Sequence, residues 1–304
     1  MTATARVAPI RRAIRRSGLQ TWGTVLPVLL LVGLFTIFPF LYAAWTSLHR
    51  VLLTLPDQPF VGFDNYVQVL GTDTVRVAAR NTLVFAVVSV PIVTALGLAV
   101  ALLLNQRVRG FGILLALILL PWSIPLVSAG IIWRLLLHGN FGAINGALLQ
   151  LGLIDSYRSF LSSQELALVS VIAAHVWREF PLPAILFLAG LQAIPPDLLD
   201  AAKVDGAKAW TRFRYIVLPL LKAPLLIVLV YETMVAVALF DLIYVLTGGG
   251  PGTSTTVFSW YTYASTFKFL NHGHGAALSF IMAAFLLLAI VLYMRIARLQ
   301  EEDG

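Results

Sequence analysis

Six long apolar stretches dominate the pattern of hydrophobic and polar positions along the chain. A helix that crosses the hydrocarbon core of a bilayer needs about 20 largely apolar residues, and every stretch is close to or above that length. The polar segments between them are rich in glycine, proline and charged residues, which favour turns. The pattern therefore predicts an all-α integral membrane protein with six transmembrane helices. They are Trp22–Leu48, Asn81–Leu104, Phe111–Trp133, Leu166–Ala193, Ala223–Thr247 and Ala276–Met294.

The composition excludes most other classes of protein. Of 304 residues, 59% are hydrophobic and 12% are charged, and the mean hydropathy is +0.89. Soluble domains carry about 25% charged residues. The chain has no cysteine, so disulfides, thiol nucleophiles and Cys-ligated metals are excluded. Its five histidines lack the H-E-x-x-H spacing, so we expect no metal site, no catalytic residue and no cofactor bound by this chain.

The distribution of basic residues predicts the orientation. Fourteen of the 21 Lys and Arg residues fall in the two terminal segments and the two loops on the same side, and six fall on the other side. Arg178 lies inside a span. Because basic residues favour the cytoplasmic side, both termini are predicted to be cytoplasmic. The expected organisation is a basic tail over 1–21, a six-helix domain over 22–297 and a second tail over 298–304.

The inner loop over 194–221 has its own helical pattern. Pro196 and Asp197 are typical of a helix start, and Gly206 is typical of a helix stop. A second amphipathic segment follows, with Trp210 and Phe213 three residues apart. Two interpretations stay open from these residues alone. In the first, the pair of short helices lies on the lipid surface; in the second, it docks a cytoplasmic partner.

The same loop carries a motif. Its residues resemble the E-A-A-x3-G-x9-I-x-L-P loop of permease subunits of binding-protein-dependent ABC importers, with Asp200 where glutamate is usual. The flanking segments 188–195 and 240–251 and the centre of the loop around Asp205 resemble the carbohydrate-uptake branch of that family. The residues that this resemblance assigns to coupling with an ATPase are Asp200, Ala201, Ala202, Asp205, Gly206, Ile216, Leu218 and Pro219.

The resemblance implies a MetI-like permease fold and a heteromeric complex. A homologous second permease subunit would complete the translocation path, and two ATPase subunits would hold ATP and Mg. A solute-binding protein would dock on the extracytoplasmic side. The chain itself would be no enzyme and would bind membrane lipid but no nucleic acid.

Four charged residues inside the apolar stretches are candidates for a substrate path: Arg178, Glu179, Glu232 and Asp241. A charge at the centre of a spanning helix costs about 2.5–3.5 kcal/mol. The charges therefore either pair between helices, for example Arg178 with Glu232, or line a polar path. Glu232 and Asp241 are nine residues apart, which predicts opposite faces of a straight helix and at most one of them in the path.

Aromatic residues add candidates, because sugar rings stack on aromatic faces, although aromatics near span ends also form interfacial belts. The rings considered are Trp122, Trp133, Trp177, Tyr231 and Tyr244. The predicted path set is Asp241, Glu232, Tyr244, Trp177, Glu179 and Trp133. The alternative function is a stand-alone secondary transporter or channel for a polar solute, which would need no docking loop. A membrane enzyme would need a clustered catalytic set, which the sequence lacks.

Overall fold

The computed structural model describes residues 25–106 and 110–302, with side chains up to residue 296. Several predicted features lie outside these residues. They are the tail 1–21, the first three residues of the first span, Arg107 and Arg109, and the side chains of the tail 298–304.

The described part of the chain is built from helices. Its only β-type pairings are two isolated bridges, His49 with Phe60 and Leu52 with Asn271. In chain order the helices are α1 (Val25–Ser47), α2 (Asp64–Gly71), α3 (Asp73–Leu104), α4 (Phe111–Ser123), α5 (Leu126–Leu136), α6 (Ala143–Gln150), α7 (Leu166–Glu179), α8 (Pro181–Gln192), α9 (Pro196–Val204), α10 (209–220), α11 (Lys222–Val237), α12 (Asp241–Leu246), α13 (Phe258–Tyr263) and α14 (His272–Glu302).

Two of the six apolar stretches are bent by more than 40°. The axes of α4 and α5 meet at 94°, and those of α7 and α8 meet at 41°. Proline disfavours a helical conformation in the residue before it, and Ile124 before Pro125 is indeed extended, with ψ 129°. By length and composition, four helical stretches among the described residues can cross a membrane, with 222–246 counted as one, and the number reaches six if each bent pair is one span.

The fifth apolar stretch also has a break, which corrects one expectation. Helix α11 ends at Val237 and α12 begins at Asp241, with residues 238–240 outside both helices. The prediction that Glu232 and Asp241 occupy opposite faces rested on a straight helix. That premise is wrong, because three residues interrupt the helix between the two carboxylates. Glu232 is fully buried and Asp241 is half-buried.

Helices α3 and α8 cross at close range. A Cβ added at Gly97 would lie 2.5 Å from the Cβ of Pro183 and 3.1 Å from the backbone nitrogen of Ala184. Further along both helices, a cluster of buried apolar side chains joins α3, α8 and α11, and it includes Phe187 and Leu221. By contrast, the most apolar window of α1 has no buried residue. The bundle is therefore tightly packed where α3, α8 and α11 meet.

The crossing gives a direct test of packing. Gly97→Ala forces α3 and α8 apart, and overpacking of this kind costs typically about 1–3 kcal/mol. We expect a lower temperature of thermal unfolding in detergent and a lower yield of folded protein. Gly112→Ala is the matched control, because it is also helical and nothing lies within 4 Å of its added Cβ. An unchanged unfolding temperature for Gly97→Ala would contradict the close crossing.

Candidate functional site

The loop over 194–221 is anchored at its base and exposed at its tip. At the base, Ile194 and Leu221 are buried, and Leu199 and Val217 pack against the same apolar cluster. At the tip, Val204 is 88% exposed, and the rings of Trp210 and Tyr215 are more than two-thirds exposed. Burial of the base fixes the loop to α8 and α11, while its apolar tip projects away from the rest of the chain.

The turn between α9 and α10 has well-defined hydrogen bonds. Gly206 has φ +80°, a left-handed conformation that favours glycine. The N–H of Ala207 donates to the carbonyl of Ala202 at 2.9 Å, and the N–H of Gly206 donates to that of Lys203 at 3.0 Å. These two bonds form a Schellman motif, which satisfies carbonyls at the end of α9. The Arg212 guanidinium also donates to the carbonyl of Ala207 at 2.7 Å. The turn is therefore fixed by its own backbone.

The eight residues of the loop motif lie at or near the surface of the described chain. Asp200 is exposed, and Lys203 donates to it at 2.6 Å. None of the eight is buried: Ala201, Asp205, Gly206 and Pro219 are exposed, like Asp200, and Ala202, Ile216 and Leu218 are half-buried. Most of the motif is thus accessible to a second molecule rather than used in the core.

A second candidate site is a buried polar cluster between α7 and α11. His175, Arg178 and Glu179 share one face of α7, because residues three and four apart lie side by side on a helix. Glu232 faces them from α11 closely enough to interact electrostatically with Glu179 and Arg178. His175, Glu179 and Glu232 are fully buried. The cluster therefore places titratable groups inside two of the apolar stretches.

Hydrogen bonding inside this polar cluster is incomplete. Arg178 donates to Glu179, forming an ion pair, and its other terminal nitrogen donates to the carbonyl of Trp122 at 3.5 Å. Among the described residues, five atoms of this cluster lack a hydrogen-bond partner. They are both carboxylate oxygens of Glu232, one carboxylate oxygen of Glu179 and both ring nitrogens of His175. An unpaired buried polar group costs free energy, so such groups are candidates to bind a polar solute.

The structure changes the expected pairing. Sequence reasoning offered Arg178 with Glu232 as a helix–helix ion pair, but the salt bridge of Arg178 is with its neighbour Glu179. Because Arg178 and Glu179 are adjacent, this pair needs no second helix. Glu232 is left with free acceptor oxygens. His175 was not predicted as a site residue, although its spacing of four from Glu179 was a visible signal.

The candidate aromatic residues separate into two places. Trp133 and Trp177 make an edge-to-face contact with ring centroids 5.9 Å apart, and Trp177 precedes Arg178. Tyr244 belongs to a different group of rings, with Tyr263 and Trp260 5.7 and 5.9 Å away. Asp241 starts α12, next to that second group. The predicted path residues are therefore not one cluster but two.

Comparison with known proteins identifies the family. The profile of a family described as binding-protein-dependent transport system inner membrane component matches residues 81–303. The chain belongs to this family. The permease is also 38% identical over 278 residues to the trehalose/maltose transport system permease protein MalF of Thermococcus litoralis, covering 91% of this chain and 93% of that protein. It is 37% identical over 259 residues to the trehalose transport system permease protein SugA of Mycobacterium tuberculosis, covering 85% and 82%.

Solved structures agree on the fold. A bacterial ABC transporter involved in the import of the acidic polysaccharide alginate has a chain that matches with a TM-score of 0.82 at 23% identity, covering 95% of this permease and 98% of that chain. The prediction of a MetI-like membrane fold and the resemblance to carbohydrate ABC importer permeases are confirmed. The permease is a multi-pass membrane protein of a transport system.

The buried ion pair gives a stability prediction. Removing one partner of such a pair leaves an uncompensated charge and costs about 3–5 kcal/mol. We therefore expect Arg178→Met to lower the thermal unfolding temperature of the purified permease. The double variant Arg178→Met with Glu179→Leu should recover part of this loss, because it also removes the unpaired carboxylate.

An exposed ion pair serves as the control. Lys203→Met breaks the pair with Asp200, and surface pairs contribute about 0–1 kcal/mol. The proposed role of the buried pair fails if Arg178→Met is no more harmful than Lys203→Met, or if the double variant is less stable than Arg178→Met alone.

Proposed function

We propose that this permease forms half of the path for a neutral carbohydrate of the trehalose or maltose type in an ATP-driven importer. Two relatives named for trehalose or maltose transport, each more than a third identical over most of the chain, support this substrate class. The free acceptor oxygens of Glu179 and Glu232 also support it, since sugar hydroxyls are hydrogen-bond donors.

The proposed complex has four kinds of partner. A homologous second permease completes the path, and two ATPase subunits below it bind ATP and Mg. A solute-binding protein delivers the sugar on the extracytoplasmic side, and lipid surrounds the apolar helices. The excess of basic residues on one side favours cytoplasmic termini in a bacterial or archaeal plasma membrane.

The observation that carries the proposal is the exposed tip of the loop over 194–221 on a buried base. In this mechanism the end of α9 with Ala201 and Ala202, and Asp205 directly after it, rest in a groove on the ATPase. Closure of the ATPase dimer moves α9, and the fixed turn at Gly206 passes the movement to α10. Because Leu221 is 1% exposed at the base, the movement reaches α8 and α11 as a rigid-body shift.

The movement of α8 and α11 would act on the buried polar cluster. Glu179 ends α7 directly before α8, and Glu232 is on α11 itself. A shift of these helices changes the space between the two carboxylates. We propose that this change exposes Glu179 and Glu232 alternately to the two sides, with Trp133 and Trp177 beside them as a stacking surface. Asp241 and Tyr244 would lie further along the path, next to the second ring group.

The turn of the loop gives a test of coupling. Gly206→Val places a β-branched residue in a left-handed conformation, which costs L-residues roughly 1–2 kcal/mol. We expect less ATPase subunit to co-purify with the permease in detergent and less uptake of labelled trehalose or maltose. Gly206→Asn is the matched control, because asparagine tolerates this conformation, and it should retain both. Normal co-purification and uptake with valine at 206 would contradict the coupling proposal.

Glu232 gives a test of the path that separates function from stability. Glu232→Leu replaces a buried unpartnered carboxylate by an apolar side chain, which is often neutral or stabilising. The same change removes hydrogen bonds to substrate hydroxyls, each of about 1.5–3 kcal/mol when one group is charged. We therefore expect unchanged or raised thermal stability together with a fall in uptake of labelled trehalose or maltose by about tenfold or more.

Met234→Leu is the control for this variant, because Met234 is exposed on the same helix. It should leave uptake unchanged. Full uptake by the Glu232→Leu importer would show that this carboxylate has no part in the path, whereas a loss of both stability and uptake would assign it a structural role.

A further inference from the structure

A hollow lies beside the end of α1 and the start of α14, which the predicted topology puts on the side of the membrane opposite to the loop over 194–221. Its volume is about 430 Å³, within the range of about 300–1,000 Å³ that is typical of small-molecule sites. Four parts of the chain wall it: the end of α1, Phe240 in the break before α12, the segment 258–268 that contains α13, and the start of α14. It is separate from the buried cluster, since His175, Glu179 and Glu232 do not line it.

Aromatic rings form one wall of this outer hollow. Phe240 and Tyr263 have centroids 4.7 Å apart, and Phe267 lies 5.2 Å from Tyr263. Trp260 backs the wall, 5.7 Å from Tyr263, and the Lys268 ammonium lies 4.3 Å from the centre of the Trp260 ring. Such rings offer flat apolar area with polar atoms at the edge. The wall therefore suits a ligand that has both C–H faces and hydroxyl groups.

Hydroxyl groups lie on the other walls, and five of them make the same kind of hydrogen bond. Each donates its proton to a backbone carbonyl, so each keeps lone pairs that can accept a hydrogen bond. The donors and the residues that accept from them are Thr46 to Tyr42, Ser259 to Leu239, Thr262 to Phe258, Thr266 to Thr262, and Ser279 to Gly275. The outer hollow is therefore a mostly apolar surface that offers a few hydroxyl acceptors.

The charge of the lining narrows the ligand class. In the described part of the chain, none of the residues that line the outer hollow is Asp, Glu, Lys or Arg. An anion would lose its hydration there and meet only the imidazole of His272 among the described lining residues, since the Lys268 ammonium lies over Trp260 behind the wall, and such a loss of hydration is costly. A neutral polyol instead donates hydroxyl protons to the free lone pairs and stacks C–H groups on Tyr263 and Phe240. A purely interfacial aromatic belt would need no matching set of hydroxyl acceptors.

We propose that this outer hollow is a second carbohydrate subsite, which holds a neutral sugar between its release from the binding protein and its arrival at the buried cluster. This inference rests on the proposed function. Phe240 connects the two sites along the chain, because it belongs to the ring wall and lies in the break directly after α11, the helix that carries Glu232. The subsite binds neutral sugars and rejects acidic ones.

The absence of cysteine in the chain permits a clean binding test. Ser279→Cys places a thiol of nearly the same size in the lining of the hollow, where Ser279 is exposed. The rate of its modification by a maleimide is measured by mass spectrometry of the labelled peptide, on the assembled importer in detergent. Trehalose and maltose are added in a concentration series. Modification should slow by about tenfold at ten times the Kd, since only unoccupied sites react.

Ser162→Cys is the matched control, because Ser162 is exposed and lies outside the hollow. Its rate should not change with either sugar. An acidic alginate oligosaccharide should leave the rate at position 279 unchanged. No protection of position 279 by either neutral sugar, equal protection of both positions, or equal protection by the acidic sugar would overturn the subsite.

A lipid headgroup presents similar hydroxyl chemistry, and a second arm separates the two sources. The same measurement is made in nanodiscs of phosphatidylglycerol. If added sugar still slows the modification of position 279 in the nanodisc, the result supports the carbohydrate subsite. Protection by phosphatidylglycerol alone, with no further effect of sugar, assigns the hollow to lipid and overturns the proposal.

Uptake by the unmodified importer distinguishes this inference from the proposed function. Uptake of trehalose or maltose without protection at position 279 overturns the subsite only. Protection at position 279 without uptake of either sugar contradicts the proposed function, while the binding site itself stands.

Discussion

The ion pair between Arg178 and Glu179 is the interaction on which the middle of the bundle depends. A guanidinium within an apolar stretch is tolerated only with a partner, and here the partner is the next residue, so the charge is neutralised before any other helix packs. The pair directly precedes Pro181 and Pro183, which have no N–H to donate to the carbonyls of Trp177 and Glu179. Charge neutralisation and the 41° bend therefore occur in the same turn, and Glu232 on α11 is free to offer its oxygens to something else.

The contacts that hold the helices together are separate from the groups that would recognise a sugar. Close packing at Gly97 and Pro183, together with the apolar cluster that includes Leu221, links the loop over 194–221 to α8 and α11. The polar groups that suit a sugar lie elsewhere, in the buried cluster and in the outer hollow. Movement of the loop can therefore be carried by rigid apolar contacts, while recognition uses a few hydroxyl, carboxylate and aromatic groups.

The local parts of the structure could be predicted from sequence. The stop at Gly206 followed from a glycine after a short helical pattern, and α9 begins at Pro196 as expected. The charged candidates Arg178, Glu179 and Glu232 were found because charge is rare in apolar stretches. Their pairing was not predictable, because it depends on how α7 faces α11 across more than fifty residues of chain. The break after Val237 was missed for a different reason: no proline marks it.

The outer hollow was missed because its walls come from distant segments. Tyr42 on α1, Phe240 in the break before α12 and Tyr263 on α13 converge only when these segments pack together, and no local spacing signals that convergence. Hydroxyl residues such as Thr262 and Thr266 also occur in helices without any role in binding. In this membrane protein, periodicity reports where helices run, whereas cavities depend on which faces meet.

Helix α10 contains a widened turn over Phe213–Val217, immediately before Pro219. A normal turn would press the proline ring against the carbonyl of Tyr215, and the wider turn relieves that contact without ending the helix. The chain therefore stays wound from Ala209 to Leu220 despite a residue that usually interrupts such a rod. A continuous, stiff helix transmits a displacement with little bending. The helices at the base of the loop would therefore move in time with the ATPase subunits, without a delay from deformation of α10.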